Sequence, residues 1–147
     1  MADIHIDEFY RDCAGALAFL YNTFPRLTTL YVDDLISQPD TDEFGIPTRR
    51  HKACFDTLLW LADEGYLRYQ DCIRQDALDQ VVLTEKSFLR LNRPYKLLSD
   101  NDQDVPSLVA SKRASMAWKL REAVKGGNSV AINQACIQFL QNSHSQA

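Results

Sequence analysis

The segment from Thr48 to Tyr69 constrains the fold of this chain more than any other part of the sequence. Thr48 is a good helix N-cap, and Gly65 can end a helix in the left-handed conformation. Between these two residues, one side of a helical wheel collects the apolar side chains Cys54, Phe55, Leu58, Leu61 and Ala62. The residues from Tyr66 to Tyr69 then alternate as in a half-buried strand. The segment therefore predicts an amphipathic helix that packs on a core and leads at once into a strand.

The residues before this helix predict one long helix and an irregular connection. Apolar side chains recur at spacings of three and four over Ile6–Phe24, and Pro25 disfavours helix at the residue before it. The β-branched run Leu27–Tyr31 predicts a strand-like connection, followed by a short second helix through about Ser37. The turn-forming residues over 38–47 predict a loop.

The residues after Tyr69 predict a second strand and another helix. Gln80–Leu83 is typical of a strand, and Thr84 can cap a helix that runs through Leu91. The residues between the two strands, Asp71–Asp79, include no Gly, Pro or Asn. They are compatible with either a long hairpin tip or a short helical insert.

The charge distribution divides the chain into three parts. Residues 1–105 carry 11 Lys and Arg against 19 Asp and Glu (a balance of −8), whereas residues 106–147 carry five against one (+4). The sign changes at an acidic run that ends at Pro106. We therefore expect a domain over 1–98, an acidic linker over 99–106 and a C-terminal helical hairpin over 107–147 that serves packing or dimerisation.

The C-terminal hairpin is predicted to consist of two helices. The first is expected to open at Pro106 or Ser107 and to end at the pair Gly126-Gly127. Ser129 is expected to cap the second. The basic residues of the first helix are compatible with a solvated face, with phosphate contact, or with pairing to the acidic body of a neighbour.

The sequence offers little material for catalysis or for a cofactor. The four cysteines form no C-x-x-C pair and have no histidine at ligand spacing, which favours buried, reduced thiols over zinc. His51 and Cys54 are three residues apart, but Cys54 lies on the apolar side of its helix, where a thiol is normally inert. No phosphate-binding, dinucleotide-binding or zinc-protease motif occurs. We therefore expect no enzyme, no catalytic residue, no cofactor and no metal site.

The sequence also predicts a cytoplasmic protein that makes no membrane contact. No stretch approaches the roughly 18 consecutive apolar residues of a membrane span. The first eight residues are acidic and lack the basic and apolar regions of a secretory signal.

The order of predicted elements over residues 6–92 resembles a winged helix domain. The run Leu58-x-x-Leu61-x-x-Glu64-Gly65-Tyr66-Leu67, followed after about fifteen residues by Val82-Leu83-Thr84-Glu85-Lys86, is similar to a run found in winged helix regulators of the MarR and PadR types. Ser87 stands where those regulators usually have glycine. The resemblance implies a mainly α (α+β) fold in which a β-hairpin forms the wing, with the C-terminal helical hairpin added.

The resemblance implies specific contacts to double-stranded DNA. In the DNA-binding members the third helix enters the major groove and the wing touches the backbone, which makes Arg49, Arg50, Lys52 and Arg74 the candidate DNA-binding residues. Acids stand beside them: Asp56 and Asp63 share the outward side of the helix, and the wing carries three more. Acidic side chains placed toward a duplex repel phosphate.

Two functions therefore remain open at this point. One is a DNA-binding winged helix protein that acts as a transcriptional regulator; the other is a winged helix used as a protein interaction or assembly module, without DNA readout. Either is expected to be a homodimer. The candidate protein-interface residues are Trp60, Lys112, Arg113 and Lys119. Trp60 is compatible with burial under the C-terminal helices, with a partner contact, or with stacking on a nucleic acid.

Overall fold

A computed structural model describes residues 4–36, 48–93 and 115–141 and gives a mixed α+β fold, as predicted. The helices in these ranges pack on one another, and α1, α2 and α3 also contact one small antiparallel sheet. In chain order the elements are α1 (Ile4–Thr23), β1 (Thr28–Tyr31), a 3-10 turn (Val32–Asp34), α2 (Arg49–Asp63), β2 (Leu67–Arg68), β3 (Asp71–Ile73), β4 (Ala77–Leu83), α3 (Glu85–Leu91), α4 (Met116–Gly126) and α5 (Ser129–Gln141). The predicted loop over 38–47 and the predicted linker over 99–106 lie outside the described residues.

Helix α1 is the centre of the core, because α2, α4 and α5 all contact it. Its bounds confirm the predicted first helix to within two residues. Cys13 and Leu17 on α1 are fully buried, and they share one apolar cluster with Leu58 of α2, Leu120 of α4 and Phe139 of α5. The two C-terminal helices therefore complete the same core as the preceding elements.

Helix α2 begins and ends as its sequence predicts. The Thr48 side chain accepts a hydrogen bond from the His51 amide at 3.2 Å, which caps the first turn. At the other end Gly65 has a φ of +81°, and the Tyr66 amide donates to the Leu61 carbonyl at 2.8 Å. This bond and the left-handed glycine form a Schellman motif, which turns the chain directly into β2.

Strand β4 is the central strand of the sheet. It pairs with β1 on one side and with both β2 and β3 on the other, always antiparallel. Residues 71–79 therefore form part of a hairpin, which excludes the helical insert, and the second strand begins at Ala77 rather than Gln80. Near the middle of β4, Gln80 has a φ of +54° and the register with β1 shifts, which is a bulge.

Helix α3 fastens the base of the hairpin to the end of α2. Thr84 caps it as predicted, and the Thr84 hydroxyl also donates to the Gly65 carbonyl at 2.7 Å. Ser87, fully buried, donates to the Tyr66 carbonyl through its hydroxyl. The Ser87 side chain thus holds the start of β2 against α3.

Four sequence predictions about this fold are corrected. Ser115 is extended (φ −73°, ψ 145°) and caps α4, so this helix begins at Met116 rather than at Pro106 or Ser107. The Asn128 side chain, not that of Ser129, caps α5, because it accepts the Val130 amide at 2.9 Å. Cys72 is exposed on β3, whereas Cys13, Cys54 and Cys136 are buried free thiols as expected. The short second helix predicted to follow Tyr31 and run through about Ser37 is instead a 3-10 turn over Val32–Asp34, and Ser37 lies outside the described residues.

Candidate interaction surfaces

Arg50 is buried at the interface of α2 and α1. Its two terminal guanidinium nitrogens donate to the two carboxylate oxygens of Asp12 at 2.7 and 2.6 Å. Burial raises the pKa of Asp12, and the hydrogen bonds from Arg50 offset part of that rise. The pair is 38 residues apart in sequence and ties the first turn of α2 to α1. Arg50, a candidate DNA contact in the sequence analysis, is thus half of an internal ion pair.

The other three candidate DNA contacts are exposed. The Arg49 side chain is 67% exposed, although its guanidinium also reaches the Glu8 carboxylate at 3.3 Å. Lys52 is exposed one turn further along α2. Arg74 is exposed in the turn of the hairpin, with a φ of +53°. Within the described residues, these three side chains are the part of the predicted DNA-binding set that a duplex could reach.

His51 connects the start of α2 to the hairpin turn. Its Nε2 lies 2.7 Å from the Gln75 carbonyl oxygen and 3.4 Å from a carboxylate oxygen of Asp76, and the ring is buried. Burial raises the pKa of the Cys54 thiol well above its ordinary value. The histidine is thus bonded to the hairpin, and the thiol stays protonated within the core.

The exposed side of α2 changes sign along its length. Arg49 and Lys52 lie in the first turn, whereas Asp56, Asp63 and Glu64 are exposed around the last two turns. Side chains three and four residues apart are neighbours on a helix, so all three acids lie beside Trp60. The hairpin adds Asp71, exposed, with Asp76 and Asp79, half-buried. The second half of α2 is therefore acidic, whereas the hairpin also exposes the cations Arg68 and Arg74.

Trp60 is the apolar centre of this acidic surface. The residue is 38% exposed, and its ring lies edge-on to Phe9 of α1 (centroids 5.1 Å apart) and stacks on Tyr66 (6.0 Å). From the C-terminal helices, the Phe139 ring lies 5.5 Å from Tyr66, and the Asn133 side chain donates to the Asp7 carboxylate at 2.8 Å. Ile6, one turn before Phe9, is 39% exposed. We define the Trp60 surface as these apolar residues and their acidic neighbours: Ile6, Phe9, Asp56, Trp60, Asp63 and Glu64.

A groove of about 530 Å³ lies between the second half of α1 and α4. Its lining, the α1–α4 groove, consists of Ala18, Asn22, Trp118, Arg121, Glu122, Val124 and Lys125. Arg121 donates to the Asn22 side chain at 3.0 Å, and its guanidinium lies 5.9 Å from the centroid of the Tyr21 ring. Lys119, predicted as an interface residue, has its ammonium 5.3 Å from the Trp118 ring. The other two basic candidates, Lys112 and Arg113, lie outside the described residues.

The groove contains residues that sequence reasoning did not select. Trp118 shares a side of α4 with Arg121 and Lys125, turned away from the buried residues Met116 and Leu120. Nothing in its local sequence shows that α1 leaves a concave surface opposite it. Arg121 and Lys125 are one turn apart, and this spacing was the signal that could have drawn attention to the region.

In the part of the chain that the structure describes, neither a metal site, nor a membrane span, nor a similar known protein assigns a role to these surfaces. Over residues 4–36, 48–93 and 115–141, no cluster of His, Cys, Asp and Glu is placed to hold a metal ion. Among the helices in those same ranges, none has the length and apolar character needed to cross a bilayer. No protein-family profile, no curated protein and no solved structure matches the chain.

Proposed function

We propose that this protein is a winged helix used as a protein interaction module, which binds its partner through the Trp60 surface. The connectivity supports the first half of the proposal. A helix, a strand, a capped helix, a hairpin and a further helix follow one another, and β4 lies between β1 and the strand that leaves α2. In a winged helix, α2 would be the recognition helix and the hairpin would be the wing.

The observation that carries the proposal is the internal pairing of the first cations of α2. Arg50 is committed to Asp12, and Arg49 shares the Glu8 carboxylate, so the two residues best placed to meet phosphate have acidic partners within the molecule. The acids around Trp60 and in the hairpin have the same sign as a phosphate backbone, which dominates affinity for DNA. Aromatic residues with exposed area, by contrast, are the ones that concentrate binding energy between proteins.

Affinity capture with matched variants tests this function. Wild-type protein, Trp60→Ala and the control Val130→Ala would each be used to retain partners from an extract of the source cells. Val130 is 60% exposed on α5 and belongs to neither defined surface. We expect Trp60→Ala to lose a partner that the wild type and Val130→Ala both retain. Identical capture of a different protein by all three baits would contradict the proposal, whereas copies of this chain, which a Trp60→Ala bait can still hold through another surface, are assessed by sedimentation velocity.

DNA binding by a transcriptional regulator is the second candidate, and one observation favours it. The His51 contact holds the hairpin turn, which carries Arg74, next to the turn of α2 that carries Arg49 and Lys52. A titration of mixed-sequence duplex at about 50 and about 200 mM salt separates the candidates, since a phosphate-binding protein loses orders of magnitude in affinity over that range. Tight, salt-sensitive binding that Lys52→Ala and Arg74→Ala both weaken would favour the regulator. No binding at the lower salt concentration would favour the interaction module.

A further inference from the structure

We propose that the partner of the Trp60 surface is a second copy of this chain, and that the α1–α4 groove of that copy receives it. This inference rests on the proposed function and names the occupant of the same surface. It depends on three observations: the charges of the two surfaces, their shapes, and their positions on opposite sides of α1.

The charges of the two surfaces are opposite. Trp60 lies among three exposed acids, Asp56, Asp63 and Glu64. One cation, the Lys86 ammonium 4.1 Å from the centroid of the Tyr66 ring, offsets part of this charge, so the surface keeps an excess of acid. The α1–α4 groove carries Arg121 and Lys125 against one acid, Glu122, whose carboxylate is 3.9 Å from the Lys125 ammonium. Opposite potentials steer two surfaces together and fix their register. An acidic surface with an apolar centre therefore fits a groove whose walls are cationic and aromatic.

The shapes of the two surfaces also correspond. Trp60 is a large aromatic side chain, 38% exposed, at the outer side of α2. The groove is concave because the α1 residues that face it, Ala18 and Asn22, are small beside Trp118 on α4. Tryptophan, tyrosine and arginine form most interface hot spots, and hot spots on one partner usually meet hot spots on the other. Trp60 on one copy and Trp118 with Arg121 on the next would supply both halves of such a contact.

The two surfaces lie on opposite sides of α1, which excludes a contact within one molecule. Phe9, against which Trp60 packs, and Ala18, which lines the groove, are nine residues apart, or two and a half helical turns. A contact between two different patches is heterologous, so in a pair one copy keeps its groove free and the other keeps its Trp60 surface free. The resulting assembly is a ring or an open chain, and its smallest fragment is an open dimer.

A complementation experiment with two variants tests the pairing. Trp60→Ala removes the apolar centre of one surface but keeps the groove, and Arg121→Glu/Lys125→Glu reverses the groove but keeps Trp60. Measured by sedimentation velocity at about 50 mM salt, wild type is expected to gain mass with concentration, and each variant alone is expected to associate at least about tenfold more weakly. An equimolar mixture of the two variants is expected to form a one-to-one complex, since each supplies the surface that the other lacks.

Controls and contrary outcomes separate this inference from the proposed function. Arg74→Glu makes a similar charge change in the hairpin turn, outside both surfaces, and is expected to associate like the wild type. Circular dichroism melts show whether each variant folds. A wild type that is monomeric at every concentration, or variants whose mixture behaves as the sum of its components, would overturn the second copy as partner. If Trp60-dependent capture of another protein persisted in that case, the interaction function would stand and this inference alone would fail.

Discussion

The two ends of helix α2 differ in whether their side chains are bonded within the molecule or exposed. At the first turn, Arg50 is paired with Asp12, Arg49 reaches Glu8, and His51 is bonded to the hairpin turn. At the last two turns, Trp60 and its three acidic neighbours project outward. The basic start of α2 therefore holds elements of the fold together, and the acidic, aromatic end is the part that a partner can contact. The sign and position of charges in a sequence do not by themselves distinguish internal ion pairs from a binding surface.

The largest effect on the free energy of unfolding is expected from breaking the Arg50–Asp12 ion pair. Arg50→Met leaves the Asp12 carboxylate buried without its cation, which costs about 3–5 kcal/mol when one member of a buried pair is removed. The double variant Asp12→Leu/Arg50→Met replaces both members with apolar side chains and is expected to recover most of the loss. Urea unfolding measures both. An Arg50→Met protein within about 1 kcal/mol of the wild type would show that the pair does not hold the helix start.

The same variant is expected to show a distinctive pH dependence. Burial raises the pKa of Asp12 above its ordinary value of 3.8, so folding favours the protonated carboxyl. The contribution of Asp12 to stability is then complete below its unfolded pKa and is lost as the pH rises through the folded pKa. Removing Arg50 removes the hydrogen bonds that lower this pKa, so the loss becomes larger.

Unfolding at several pH values measures this effect. We expect Arg50→Met to be closer in stability to the wild type near about pH 4 than near about pH 7. The double variant Asp12→Leu/Arg50→Met, which has no carboxyl at position 12, is the control and should not show the trend. A constant difference between Arg50→Met and wild type across that range would contradict the assignment.

An intermediate effect is expected at the exit of α2, where Gly65 turns the chain into β2. Gly65→Ala places a side chain at a φ of +81°, and the left-handed conformation costs a non-glycine residue about 1–2 kcal/mol. The new Cβ would meet only the Lys86 ammonium, at 3.9 Å, so the cost is conformational and not steric. Gly126→Ala is the matched control: that glycine is helical and has no atom within 4 Å of the added Cβ. Thermal unfolding should show Gly65→Ala less stable and Gly126→Ala unchanged or slightly stabilised.

The smallest effect is expected at Arg49, the neighbour of Arg50. Its side chain is 67% exposed, and exposed ion pairs contribute about 0.2–1 kcal/mol. Arg49→Ala is therefore expected to change the free energy of unfolding by less than about 1 kcal/mol, and the change should shrink further in high salt. A loss comparable with that of Arg50→Met would mean that the two arginines form one network with Glu8 and Asp12.

The bounds of α2 were predictable because they depend on local signals. Which of its side chains are bonded internally was not predictable, because that depends on long-range contacts. The cap Thr48 and the terminator Gly65 act on residues within four positions, so the bounds of the helix follow from the sequence. Arg49 and Arg50, in contrast, differ only by a rotation of about 100° on the helix. Which of them meets a carboxylate depends on Asp12, 38 residues earlier, and on how α1 and α2 cross.

The hairpin and the groove were less predictable for related reasons. Arg74 and Gln80 adopt positive φ angles, although neither is a glycine or an asparagine, so the turn and the bulge carry no recognisable sequence signal. Their conformations depend on neighbours such as Asp79, whose carboxylate accepts both the Gln80 amide and the Thr29 hydroxyl. The α1–α4 groove arises only when two helices 100 residues apart are packed together, and the sequence offers no pattern for a concave surface.

The hydrogen bonds of Arg90 limit where this chain can be shortened without loss of structure. Its guanidinium donates to the Tyr66 hydroxyl at 3.1 Å and to the Phe139 carbonyl at 3.4 Å, and so joins the exit of α2, α3 and the last turns of α5. A chain cut after residue 98 would strip the Phe139 ring from Tyr66 and leave that arginine facing water. The indole of Trp60 would then rest on an unsupported tyrosine. Helix α5 thus supports the Trp60 ring indirectly, through Tyr66. A protein without the C-terminal helices would hold that exposed ring less rigidly.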